Sequence, residues 1–265
     1  ILYLNIGFFI LISLINNFIW LTDKTELNLI KSYLSITPDL NQLIKRPWTI
    51  LTHMFIHENS YKGLIELLTN MTVFYFTGKI FTKYLTDLQL LTTYLIGGLF
   101  GASIYITLYN IFQNYILDIN SIAIGSSAAV IAILAAITTY VPNLSVIGNI
   151  KLKHITLIII LYFIVSLPIN NSGGHIAHLG GALYGFMFIT LYKRNINTGF
   201  ILEKIISILK AKNVKRINRR TENDYEYNAR KNKENQKINK ILDKISRSGY
   251  DSLSNEEKEE LSKQK

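Results

Sequence analysis

The sequence predicts an all-α membrane protein: six helical crossings followed by a small cytoplasmic helical tail. Three observations carry this. Six apolar stretches approach the roughly 20 residues that a helix needs to span a bilayer. Charge is concentrated at one end of the chain, and basic residues recur in every second connection. Residues 193–265 hold 19 of the 28 Lys and Arg and 11 of the 18 Asp and Glu, so most of the net charge of +10 lies there. The partition gives a membrane domain over 1–192, a basic amphipathic segment and linker over 193–237, and a helical hairpin over 238–265.

The spans fall at 1–21, 62–81, 87–109, 122–141, 154–169 and 175–192. The opening, Ile1 to Trp20, has neither a basic start nor a small-residue cleavage site, and reads as a transmembrane helix rather than a signal peptide. Lys79 and Lys83 close the second span, Lys151 and Lys153 follow the fourth, and Lys193 and Arg194 follow the sixth. Asn110 to Ser121 and Leu167 to Gly174 carry no basic residue. Basic loops stay inside, so both termini are expected in the cytoplasm. The long first loop, Thr22 to Ile50, faces outward despite Lys24, Lys31, Lys45 and Arg46. A basic surplus beside a bilayer points to anionic lipid rather than nucleic acid. With no cysteine, disulfides and thiolate metal sites are excluded.

Two residues at the outer ends of separate spans can do chemistry together. Ser127, in Gly125-Ser126-Ser127-Ala128, opens span four; His178 opens span six. A serine hydroxyl becomes a nucleophile when a base takes its proton, and imidazole is the side chain suited to that near neutrality. Small residues let the two helices approach: Ala128, Ala132, Ala135 and Ala136 on one, and Gly181 and Gly185, spaced as G-x-x-x-G, on the other.

Around these residues the chain resembles the rhomboid family of intramembrane serine proteases, from about Arg46 to Tyr192. The matching motifs are G-x-S-x at Gly125, A-H-x-x-G-x-x-x-G from Ala177, T-H-x-x-x-H at Thr52 to His57, and an asparagine at Asn70 with Gly78 below it. The resemblance implies a six-transmembrane-helix rhomboid-like bundle in a bacterial plasma membrane. It also implies a serine endopeptidase that cuts transmembrane segments of membrane proteins and needs no cofactor. Ser127 would be the nucleophile and His178 the base, with no aspartate. The Ser127 N–H and the Asn70 side chain would hold the oxyanion beside Gly125 and Ser126. His53 and His57 would support the site, and Gly181 and Gly185 the helix contact.

This chain departs from the family pattern at several places. Glu66 stands where a second oxyanion histidine is usual, one turn before Asn70; it either points into the site, or faces outer water or Lys62. The spacing from His57 to Asn70 is longer than usual, Ala128 replaces a common glycine, and Ile131 replaces an aromatic. A catalytically silent relative that binds or sorts membrane proteins is the alternative. A zinc site on His53 and His57 lacks the glutamate of H-E-x-x-H, since Met54 follows His53. No metal is therefore expected. Ser172-Gly173-Gly174 suggests a hinged loop over the site, with substrate entering past span five.

In the tail, Phe200 to Leu209 is amphipathic and suited to the inner leaflet. Ile238, Ile241, Leu242 and Ile245 recur at helical spacing up to Gly249. Ser254 and Glu257 mark the start of a second short helix.

Overall fold

The computed structural model describes residues 1–22, 29–112, 122–168, 172–196, 204 and 224–262. It divides into two compact units, 1–211 and 212–265. The first is helical, and a long helix falls on each of the six apolar stretches: α1 (Leu2–Thr22), α5 (Tyr61–Tyr84), α6 (Asp87–Ile111), α7 (Ser127–Tyr140), α8 (Leu152–Ser166) and α9 (Ser172–Tyr192). Among the described residues, α1 and α6 are long and apolar enough to cross a membrane, and α7 and α8 are shorter apolar helices.

The first loop is not irregular. It contains α2 (Leu29–Leu34), α3 (Leu40–Lys45), α4 (Thr49–Thr52) and a 3₁₀ turn at His53–Phe55. Long-range bonds hold these short pieces, as isolated turns do not hold themselves. The Thr52 hydroxyl donates to the Leu34 carbonyl at 2.8 Å and the Trp48 indole to the Tyr33 carbonyl at 2.8 Å. The Arg46 guanidinium donates to the Ser32 carbonyl and lies 4.3 Å over the Tyr33 ring. The Asn110 amide, at the end of α6, donates to the Pro38 carbonyl at 2.9 Å.

Small residues place α7 at the centre. Every residue from Ala128 to Thr138 is buried. A Cβ on Gly181 would collide with the Ala128 carbonyl, and one on Gly185 with the Ala132 carbonyl, so α9 meets α7 backbone to backbone. On α6, a Cβ on Gly101 would stand 3.1 Å from that of Ala128. The space that a glycine at 128 would leave is thus supplied from the opposite helix.

Three boundaries differ from the sequence reading. Residues 122–126 are not helical: Ala123 exchanges backbone bonds with Ile36, and Gly125 takes φ +116, which no helix permits. A small hairpin, β1 (Ser145–Ile147) with β2 (Ile150–Lys151), joins α7 to α8, turning through Gly148 at φ +53. The stretch Ser172-Gly173-Gly174 is the first turn of α9 rather than a hinge, and Gly173 packs so closely on the Tyr105 ring that a Cβ would lie 2.5 Å away. The middle of that loop lies outside the described residues.

The second unit is a helical hairpin. α10 (Asp224–Ser248) reaches back into the stretch read as linker, because polar residues free of Gly and Pro are still good helix formers. Gly249 ends it at φ +77, its N–H donating to the Ile245 carbonyl. Ser254 and Glu257 then exchange side-chain and backbone bonds to start α11 (Asn255–Ser262). Ile241 and Leu253 are buried between the helices, and Lys244 pairs with Glu257 at 2.8 Å. The amphipathic stretch predicted at 200–209 falls outside the described residues, Lys204 excepted.

Candidate active site

Gly125 turns the chain into α7, and Ser127 is the first residue of the helix. Ser126 occupies the N-cap position, where a hydroxyl ordinarily bonds the free N–H groups of the first turn. Here it does not cap the helix; its hydroxyl donates to His57 Nε2 at 3.3 Å instead. The N–H groups around Ser127 therefore face the site with no side-chain cap, at the positive end of the helix dipole.

His178 meets this point from the first turns of α9, its Nε2 2.5 Å from the Ser127 hydroxyl oxygen. An imidazole nitrogen so placed can take the hydroxyl proton, provided that its own hydrogen sits on Nδ1. That Nδ1 is buried without a hydrogen-bond partner among the described residues. Orientation comes from packing: the Phe163 ring of α8 lies 4.5 Å from the His178 ring, and His175 lies 5.9 Å away, edge to face. The ring missing at Ile131 is thus supplied by another helix. Sequence reasoning passed over Phe163, and weighed His175 only as half of a metal site with His178. The signal was present for Phe163, because Leu152, Thr156, Phe163 and Ser166 are the buried residues of α8 and recur at helical spacing.

His53 and His57 turn to different partners and do not form a metal pair. His53 Nδ1 faces the Thr49 carbonyl at 3.0 Å, while its backbone carbonyl accepts from the Gly125 N–H at 2.9 Å and so fixes the turn before Ser127. His57 Nε2 accepts from Ser126 and faces the Asn70 amide at 3.4 Å. Both lie in the first loop, outside the predicted spans, and burial pushes each imidazole down to about 4. They are neutral across the physiological range, His53 donating through Nδ1 to the Thr49 carbonyl and His57 accepting through Nε2. A second polar line reaches the same region from α1: the Asn5 amide donates to the Tyr94 hydroxyl, which donates to the Met54 carbonyl, each at 3.1 Å.

Glu66 points into the site. A Cβ on Gly125 would lie 2.5 Å from Glu66 Oε1 and 3.6 Å from the Ser127 hydroxyl oxygen, and Asn70 stands one turn on from Glu66 along the same helix. Ser127, His178, Asn70, Gly125, Glu66 and His53 all line one cavity of about 680 Å³. Its remaining wall is largely apolar and includes Val73 of α5 and Ile159 and Phe163 of α8.

Residues 45–195, more than half of the chain, match the Rhomboid domain. The chain belongs to the rhomboid family. Rhomboids include intramembrane serine proteases, and the match spans every residue of the cavity named above. Residues 221–264 match a second family, one of unknown function (DUF6576), whose bounds coincide with the helical hairpin. No curated protein matches the chain.

Proposed function

We propose that this rhomboid is an active intramembrane serine endopeptidase, using Ser127 and His178 as a catalytic dyad. The observation that carries the reading is the 2.5 Å contact between Ser127 Oγ and His178 Nε2 at the wall of a substrate-sized cavity. In the reaction, Ser127 Oγ attacks the scissile carbonyl carbon while His178 Nε2 takes the hydroxyl proton. The carbonyl π electrons move onto oxygen, and that oxyanion is held by the Ser127 N–H and by the Asn70 amide. Collapse of the intermediate breaks the C–N bond, with the proton passing from His178 to the leaving amine. Water then repeats the sequence on the acyl-enzyme, with His178 again as base. Among the described residues no acid orients the imidazole; Phe163 does so by contact.

The six long helices are proposed to cross the bilayer, with both termini cytoplasmic in a bacterial plasma membrane. At about 1.5 Å per residue, the 14 residues of α7 rise roughly 21 Å, less than the ~30 Å hydrocarbon core. A helix of that length starting from the inner face leaves Ser127 below the outer surface, with the cavity above it as its access to water. Substrates are membrane proteins whose transmembrane helix unwinds locally, because a helix hides its carbonyls in its own hydrogen bonds. Entry is proposed between α5 and α8, the helices whose residues form facing walls of the cavity.

One observation favours the alternative, a silent rhomboid that binds membrane proteins: the Glu66 carboxylate lines the same cavity as Ser127 and Asn70, where an ionised group repels an oxyanion. A fluorophosphonate probe separates the two. Labelling of the purified protein that disappears in Ser127→Ala and His178→Ala supports the dyad. Absence of labelling in detergent and in liposomes overturns it in favour of the binder.

A further inference from the structure

The carboxylate of Glu66 is the charged group in this cavity that acyl transfer leaves unused. The other ionic pair on the cavity wall is internally neutral, with Lys31 Nζ 2.8 Å from Glu58 Oε1. His53 is neutral through burial. Glu66 forms no ion pair among the described residues, and Asn70 follows it one turn along the same helix. An uncompensated carboxylate facing an otherwise apolar wall is costly, and a cation brought by a ligand removes that cost.

The Asn70 amide carries two hydrogens. One faces His57 Nε2 at 3.4 Å, which leaves the other for an acceptor in the cavity that Glu66 and Asn70 both line. The Glu66 carboxylate, one helical turn away, competes with an oxyanion for that hydrogen until a cation draws it off.

We propose that Glu66 is a specificity-determining residue that pairs with a Lys or Arg side chain of the substrate next to the scissile bond, releasing the Asn70 amide for the oxyanion. The inference rests on the proteolytic reading above. It adds a substrate class: membrane proteins carrying a basic residue beside the cleavage point, at the outer margin of their transmembrane segment. Glu66 acts through two interactions at once. The ion pair binds the substrate, and the freed amide acts on the transition state, so the basic residue raises kcat as well as lowering KM.

The test uses the full-length protein in liposomes and a panel of single-span substrates that differ only at the positions flanking the cut, bearing Lys, Arg, norleucine or Glu. The wild type is expected to cleave one Lys or Arg substrate about tenfold faster, in kcat/KM, than its norleucine counterpart, the order expected for one desolvated charge pair. Glu66→Gln should cleave all four alike, Glu66→Asp should retain the preference, and Glu66→Lys should shift it to the Glu substrate. Equal thermal unfolding and a circular dichroism spectrum superimposable on the wild type confirm that Glu66→Gln is folded. A wild type that cleaves without basic preference overturns the inference and leaves the protease reading standing, as does a preference that survives Glu66→Gln. If acidification alone brings norleucine cleavage up to the Lys rate, Glu66 is released by a proton and the cationic substrate is overturned. Absence of cleavage and of labelling in wild type and Glu66→Gln alike brings down both readings.

Discussion

Helices α7 and α8 are nearly the same length, 14 and 15 residues, and equally apolar, yet they are built in opposite ways. On α7 the run Ala128–Thr138 is buried on every side, and its small residues meet glycines of α6 and α9. On α8 only Leu152, Thr156, Phe163 and Ser166 are buried, while Leu157, Ile158, Leu161 and Val165 project from the bundle. In the protease proposed above, whose substrate comes from the lipid, the difference divides the labour. The nucleophile stands on an element that cannot shift, and one wall of its cavity belongs to an element that packs along a single stripe. Phe163 is where the two meet, since it lies on the buried stripe of α8 and touches the base on α9.

The sharpest way to break the contrast is to force the α7 seam apart. In Gly185→Leu the first side-chain carbon alone would collide with the Ala132 carbonyl and stand 2.9 Å from the Ala136 nitrogen. Backbone cannot yield as a side chain does, so the cost is about 3 kcal/mol or more. Thermal unfolding in detergent should fall accordingly, and probe labelling of Ser127 should vanish. Gly7→Leu is the control, because nothing lies within 4 Å of its Cβ position on α1. If both variants unfold together, the seam is not what holds α7.

That seam was legible in the sequence, whereas much around it was not. Ala128, Ala132, Gly181 and Gly185 announce close approach by size and spacing alone, and the serine and histidine announce chemistry by residue type. The start of α7 was misplaced because Ile122-Ala123-Ile124 is as apolar in an extended strand as in a helix; only the positive φ of Gly125 and the Ile36 pairing separate them. Ser126 is expected beside the oxyanion, and its actual partner, His57, is 69 residues away. The direction of Glu66 depends on the Gly125 turn, which local pattern does not encode. In the tail, capping residues marked Gly249 and Ser254 correctly, but polarity hid the first 14 residues of α10, 224–237.

The first-loop histidines sharpen the comparison from the water side. Both are held at about 4 in the folded protein by burial, against 6.5 for the ordinary imidazole. Their folded value is depressed, so the unfolded chain binds more protons as pH falls below 6.5. Stability is therefore complete above that pH and is lost progressively down to about 4. Each histidine contributes about 1 to 3 kcal/mol to that loss. The unfolding midpoint should fall between pH 6.5 and 4, and His57→Gln should flatten part of the fall. Protonated His57 can no longer accept from Ser126 and Asn70, so the fall in stability should be accompanied by loss of probe labelling. A midpoint independent of pH across this window would mean that these histidines open to water, and that the first loop does not seal the end of α7.

The smallest effects belong to α8, and they separate its two faces. Ile158 and Val165 are each 66% exposed, so replacing either by Ala should change the unfolding midpoint by no more than about 0.5 kcal/mol. Phe163→Leu keeps the stripe apolar and similar in volume but removes the ring against His178; stability should fall by about 1 kcal/mol. Probe labelling should slow severalfold, since the imidazole keeps its place beside Ser127 but loses the surface that orients it. A uniform response of all three variants would mean that α8 acts only as filler. A labelling defect confined to Phe163→Leu would make that ring the part of α8 that serves the chemistry, leaving the outward residues free to face lipid and an incoming helix.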